Sequence, residues 1–112
     1  MAVARVDAIL TKASGSITNS YTTIGSALTH NWRIFKITNN TDGNMLFSFD
    51  GTTDNIFVPA YGFTLYDLST NAPPVSETDT FVLALNTQFY VKYNSAPTTG
   101  SVWIEGVYAR GT

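Results

Sequence analysis

The chain has 112 residues, no cysteine, one histidine and a formal net charge of −2, which suits one small domain and excludes disulfide staples, thiolate catalysis and zinc ribbons. Only 12% of residues are charged, and the six basic ones, Arg5, Lys12, Arg33, Lys36, Lys92 and Arg110, form no run or stripe that could follow a nucleic-acid backbone. The polar surface must come instead from Thr, Asn and Ser, 35 residues together, a β-type composition, because β-branched Thr favours extended backbone while Asn and Ser favour turns.

The first ten residues, MAVARVDAIL, are broken by Arg5 and Asp7, so neither a signal-peptide core nor a membrane span is expected. Residues 2–11 alternate loosely, SGSITNS (14–20) reads as a connector, and YTTIGSAL (21–28) reads as a short, weak strand. Residues 1–30 are therefore expected to be an N-terminal arm or weak strands, mobile until a partner orders them, beside a β-sandwich core over 31–112. NWRIFKIT (31–38) is a strand stopped by the turn-forming cluster NNTDGN (39–44). MLFSFD (45–50) places Met45, Phe47 and Phe49 on one face and ends in Asp50-Gly51, a hairpin dipeptide, so NIFVP (55–59) should be its partner strand.

FTLYDL (63–68) is the next extended run, and STNAPPVSETD (69–79) is the longest loop. TFVLAL (80–85) is apolar on both parities, which predicts a central strand covered on both faces. QFYVKY (88–93) aims Phe89, Val91 and Tyr93 inward. In SVWIEGVYA (101–109) Val102, Ile104 and Tyr108 share one face, and Trp103, Glu105 and Val107 share the other. About eight short strands without a helical period imply an all-β, single-domain antiparallel β-sandwich, of jelly-roll or immunoglobulin-like type.

Residues capable of chemistry are few. His30 could be drafted with Ser26 and an aspartate into a triad, but no strand-to-helix elbow is predicted at Ser26, so no catalytic residue is assigned. DGTTDN (50–55), with Asp42 and Asn44 near it, has oxygen ligands of the kind calcium takes. The simpler reading makes Asp50-Gly51 the turn and Asp54 a cap, which leaves no metal site and no cofactor. The two glutamates, Glu77 and Glu105, do not form a glycosidase pair, since Glu77 sits in the long loop. Asn39-Asn40-Thr41 matches a glycosylation sequon but reads as an ordinary turn. Three rings remain as interface or ligand-contact candidates: Trp103 and Tyr90, which share faces with Glu105 and Lys92, and Tyr61, in a loop.

The stretch MLFSFDGTTDNIFVPAYGFTLYDLSTN (45–71), followed by TQFYVKYNSAPTTGSVWIEGVYAR (87–110), resembles a pattern in small structural proteins of tailed-bacteriophage virions. It is carried by Ser48, Asp50 and Gly51, then Pro59, Ala60 and Gly62, then Asp67, Leu68 and Asn71, then Tyr90, Val91 and Lys92, and finally Pro97, Thr98 and Gly100. Tyr61, between Ala60 and Gly62, departs from it. The resemblance implies a non-enzymatic, multi-copy subunit decorating the capsid or forming part of the collar or head–tail joining region. Its partners would be other copies of itself and other virion proteins, with no nucleic acid and no membrane, and its location the virion, assembled in the host cytoplasm. The competing expectation is a carbohydrate-binding or receptor-binding module that stacks a glycan on Trp103 or Tyr61.

Overall fold

Strands in this chain form where apolar side chains alternate, and their buried faces close on one another as two sheets. The structure, a computed structural model, describes residues 3–68 and 83–110. Among the described residues nine strands follow in order: β1 (Val3–Val6), β2 (Leu10–Ala13), β3 (Thr22–Ile24), β4 (Trp32–Thr41), β5 (Met45–Ser48), β6 (Ile56–Val58), β7 (Phe63–Asp67), β8 (Phe89–Tyr93) and β9 (Gly100–Arg110), with a 3₁₀ turn at Ser14–Ser16. Sheet A has the order β1-β9-β4-β7, with β2 also paired to β9, and sheet B the order β3-β8-β5-β6. Every strand pairing is antiparallel.

β1 and β2 take successive stretches of one edge of β9 and act as a single interrupted strand. Counted so, the first strand pairs with the eighth, the second with the seventh, the third with the sixth and the fourth with the fifth. A hairpin nested in this way is the jelly roll, and the topology selects it over the immunoglobulin-like alternative. The core lies between the sheets. Phe35, Ile37, Val102 and Ile104 of sheet A are buried against Ile24, Met45, Phe47, Phe89 and Val91 of sheet B. Phe89 packs edge-on to Phe35, with ring centroids 5.8 Å apart, a geometry that aromatic quadrupoles favour.

Two β-bulges explain where the sequence pattern is blurred. Val6 pairs with Val107 and Leu10 with Ile104, so residues 7–9 stand opposite 105–106 with one residue in excess. An extra residue reverses side-chain parity. Val6 consequently faces outward, whereas Leu10 packs on the core. A second irregularity lies between Trp32, opposite Tyr108, and Ile34, opposite Val107; it leaves Arg33 over and lets both Trp32 and Phe35 point inward. Between the bulges sits Gly106, whose missing side chain makes room for the Trp32 indole: a Cβ there would lie 2.1 Å from the ring.

Several expectations change with the structure in view. The first thirty residues contribute strands to both sheets, and Ile17, Ile24 and Leu28 are buried in the shared core. They read as weak strands because their pairing is short and bulged. Of TFVLAL, residues 80–82 lie outside the described residues, as does the loop expected over 69–79. Leu83 forms an isolated bridge to Trp32, and Ala84 and Leu85 are exposed and belong to no strand. A strand also continues through the cluster taken as a turn, because β4 runs on to Thr41. Asn39 is fully buried there, its amide nitrogen donating to the carbonyls of Gly43 (2.8 Å), Val58 (3.1 Å) and Pro59 (3.1 Å) and its oxygen accepting from the Thr41 amide and hydroxyl. An asparagine so enclosed is closed to glycosylation.

Candidate functional site

The outer face of sheet A gathers four of the exposed large apolar side chains, Val6, Phe63, Leu65 and Trp103. Its composition follows from register. Residues of β4 alternate, so that Phe35, Ile37 and Asn39 point inward and Ile34, Lys36 and Thr38 outward. Pairing then sets three outward rows across β9, β4 and β7: Trp103, Thr38 and Phe63; Glu105, Lys36 and Leu65; Val107, Ile34 and Asp67. Val6 of β1 extends the last row and Thr11 of β2 the first. Val6 is 73% exposed, Phe63 64%, Leu65 58% and Trp103 39%, so this face presents large apolar side chains to solvent where a free antiparallel sheet normally presents polar ones.

The face also carries three charged side chains, Lys36, Glu105 and Asp67. The Lys36 ammonium lies over the Phe63 ring, 4.9 Å from its centroid, an arrangement that holds the cation against the sheet. Glu105, on the neighbouring strand, has no ion-pair or hydrogen-bond partner among the described residues. A shallow depression between them is lined by Val6, Ile34, Lys36, Leu65, Glu105 and Val107.

The three candidate rings are not brought together. Trp103 belongs to the face just described. Tyr61 is 66% exposed in the turn before β7, its φ of 56° in the left-handed region, a conformation that costs a non-glycine residue about 1 kcal/mol or more. Tyr90 is half-buried on the opposite sheet, paired with Ser48 and Thr23, and its ring covers Gly51, where a Cβ would lie 3.3 Å away. Phe63, Leu65 and Val6 were not singled out from sequence. In FTLYDL the larger apolar residues alternate, but only the pairing of Tyr66 with Phe35 shows that Phe63 and Leu65 are on the outside.

His30 and the aspartates serve as ties within the fold. His30 Nδ1 lies 3.2 Å from Asp7 Oδ2, and its ring stacks on Tyr108 with centroids 3.8 Å apart. The Trp32 indole donates to the same carboxylate oxygen at 2.9 Å and the Ala8 amide to the other at 2.8 Å. Burial raises the Asp7 pKa, but the Trp32, Ala8 and His30 contacts outweigh it and leave the carboxyl below its ordinary value. Among the described residues Ser26 is not a hydrogen-bond partner of His30, so no triad forms. Asp42 accepts from the Thr98 amide and hydroxyl and the Thr99 amide, which joins the turn after β4 to the one before β9.

Asp54 accepts from the Tyr21 hydroxyl and lies 3.4 Å from Lys92 Nζ. Asp50 closes its own loop, accepting from the amides of Thr52 (2.9 Å) and Thr53 (2.7 Å) and the hydroxyls of Ser48 and Thr53. Asp50 thus closes the hairpin, while Asp54 ties it to Tyr21 and Lys92. Among the described residues no three His, Asp or Glu side chains converge.

These contacts make a prediction about acid. The Thr53 and Thr52 amides, with the two hydroxyls, hold the Asp50 carboxyl far below 3.8. A carboxylate with a depressed folded-state pKa contributes stability above its unfolded pKa of about 3.9, and that contribution is lost as pH falls through the folded value. Tm is expected to be nearly flat from about pH 7 to pH 5 and to fall below about pH 4. Asp50→Asn lowers Tm at neutral pH and makes the acid limb shallower, so the gap to wild type narrows towards about pH 2. A gap that stays constant across thermal melts over this range would show that Asp50 does not carry the effect.

No protein-family model matches the chain, and no curated protein is similar to it in sequence. Two solved structures resemble its fold. One is the Dit (gp 19.1) protein of phage SPP1, described as a paradigm of the hub adsorption apparatus in phages that infect Gram-positive bacteria. It is 15% identical with a TM-score of 0.40, the match covering 95% of this chain and 48% of that one. This chain therefore spans about half the length of the Dit protein. The other comes from Bacillus endospore appendages, a family of disulfide-linked pili, at 12% identity and a TM-score of 0.45, covering 96% of this chain and 89% of that one. At TM-scores below 0.5 neither likeness bears on what this chain does.

Proposed function

We propose that this chain is a non-enzymatic structural subunit of a tailed-bacteriophage particle, present in many copies as a capsid-decorating protein or as part of the collar or head–tail joining region. The observation that carries the reading is the outer face of sheet A, where Val6, Phe63, Leu65 and Trp103 stand exposed on a rigid β-scaffold. Large apolar side chains exposed together on one sheet face mark a protein contact. Two further features agree with it. The sequence pattern of small virion proteins runs through β5 to β7 and β8 to β9, and among the described residues His30, Asp7, Asp42 and Asp50 hold turns and bulges together. Jelly rolls occur in viral capsid proteins and in lectins alike, so the fold by itself favours neither role.

A glycan-binding module is the second reading, favoured by one observation: Trp103 and Phe63 flank Thr38 in one outward row, two rings on a flat surface with a hydroxyl between them. Quantitative mass spectrometry of purified particles separates the two. Hundreds of copies per particle are expected for lattice decoration, and a few dozen or fewer for the collar or connector. Absence from particles, together with a glycan affinity lost in Trp103→Ala, would replace the virion reading with the sugar-binding one.

A further inference from the structure

We infer that the outer face of sheet A binds a second copy of this chain, face to face, about a two-fold axis that runs parallel to the strands between β4 and β9. This deepens the reading above, since it rests on that face being a protein contact and names its occupant.

Symmetry and charge together select the arrangement. Lys36 and Glu105 are cross-strand neighbours pointing outward in the middle row, and Asp67 lies at the rim. Two copies that meet through the same surface are related by a two-fold axis lying in the interface, so each residue meets the one that the axis assigns to it. An axis across the strands through the middle row would set Lys36 against Lys36 and Glu105 against Glu105, like charge on like. An axis along the strands between β4 and β9 exchanges the two columns. Lys36 then meets Glu105 of the other copy, twice, and a carboxylate without a partner among the described residues gains a cation. The same operation sets Val107 against Ile34, Trp103 against Thr38, Phe63 against Thr11 and, at the rim, Val6 against Asp67, so the two central columns are covered while Lys36 and Glu105 pair. Twisted sheets stack well when their strands are nearly aligned, as this axis requires.

The face is modest in size. β4 and β9 pair over nine register positions and β7 over five, about 30 and about 17 Å at roughly 3.4 Å per residue. With strands about 4.8 Å apart the footprint is roughly 500 Å², below the ~800 Å² per partner of a standard interface, which suits a reversible dimer.

Sedimentation velocity on the full chain, with Lys36→Glu, Glu105→Lys and the double reversal, tests the inference. Wild type is expected to dimerise reversibly at micromolar concentrations. Each single reversal creates two like-charge contacts and is expected to weaken the dimer at least a hundredfold, while the double variant, which restores both pairs, returns to within about tenfold of wild type. Both positions are outward on the sheet, and circular dichroism verifies that each variant is folded; Leu65→Glu, in the same row, is a second disrupting change. A wild type that stays monomeric to millimolar concentration, or a dimer that either single reversal leaves unaltered, overturns the pairing. Copy number in particles is measured separately, so a chain found in virions but monomeric in solution loses this inference and keeps the functional reading. A chain that dimerises as described but is absent from particles does the reverse.

Discussion

Gly106→Ala is expected to destabilise the protein by about 3 kcal/mol and to lower Tm by roughly 15 °C, although it adds one methyl group. The added Cβ would lie 2.1 to 2.3 Å from three atoms of the Trp32 indole, Cδ2, Cε2 and Cε3. These belong to the rigid body of the ring, so no rotation of a flexible end relieves the clash. Nor can the indole retreat. Its Nε1 is hydrogen-bonded to Asp7, and the Trp32 backbone is pinned by reciprocal bonds with Leu83 of 2.8 and 2.7 Å. The strain would spread to Asp7 and His30 and so to the bulge that joins β1 to β2. Gly15→Ala is the control, since a Cβ there meets nothing within 4 Å, and its effect should stay within about 0.5 kcal/mol. Equal urea midpoints for the two variants would show that the Trp32 contact is not tight.

Asn39→Ala is expected to cost about 3 to 4 kcal/mol, more than a neutral surface change by an order of magnitude. Its amide is the meeting point of three segments: the turn after β4 through Gly43, the end of β6 through Val58, and the following turn through Pro59. Removing it takes a donor from each of these carbonyls and the acceptor from the buried Thr41 amide, while the Thr41 hydroxyl keeps its bond to the Gly43 carbonyl and the Pro59 carbonyl its bond from the Gly62 amide. Unpaired buried polar groups carry their full desolvation cost. Asn39→Asp should be at least as harmful at neutral pH, because it turns a carboxylate towards carbonyl oxygens. Chemical denaturation measures both, and a loss under about 1 kcal/mol for the alanine variant would mean that the network is not cooperative.

What could be read from the sequence was what local pattern controls. The β5–β6 hairpin announces itself in Asp50-Gly51, and Gly51 adopts the positive φ of 80° that such a turn needs. β8 and β9 alternate cleanly, so Phe89, Val91, Val102 and Ile104 could be assigned to the core. The rest depended on partners distant in the chain. The bulge at residues 7–9 exists because β9 fixes both Val6 and Leu10 from the far end of the molecule. Asn39 looks like a turn residue until β6 approaches it. In β7 the pattern F-x-L suggests a buried stripe, yet the pairing with β4 turns Thr64 and Tyr66 inward. For the same reason the sequence pointed to Trp103 but not to the two neighbours that make its surroundings a face.

The nested pairing also orders events in time. Residues 47 and 56 meet across a short hairpin, 34 and 67 across a longer one, 24 and 89 across a longer one still, and 3 and 110 across nearly the whole chain. The entropy lost on closing a loop grows with its length, so the ladder between the first strand and β9 is the last to zip and has the least neighbouring structure to hold it when it opens. Amide exchange should therefore be fastest at the opening residues and slowest around Phe47. During synthesis β9 is the strand that locks the sandwich, and until it is made β1 has no edge to join.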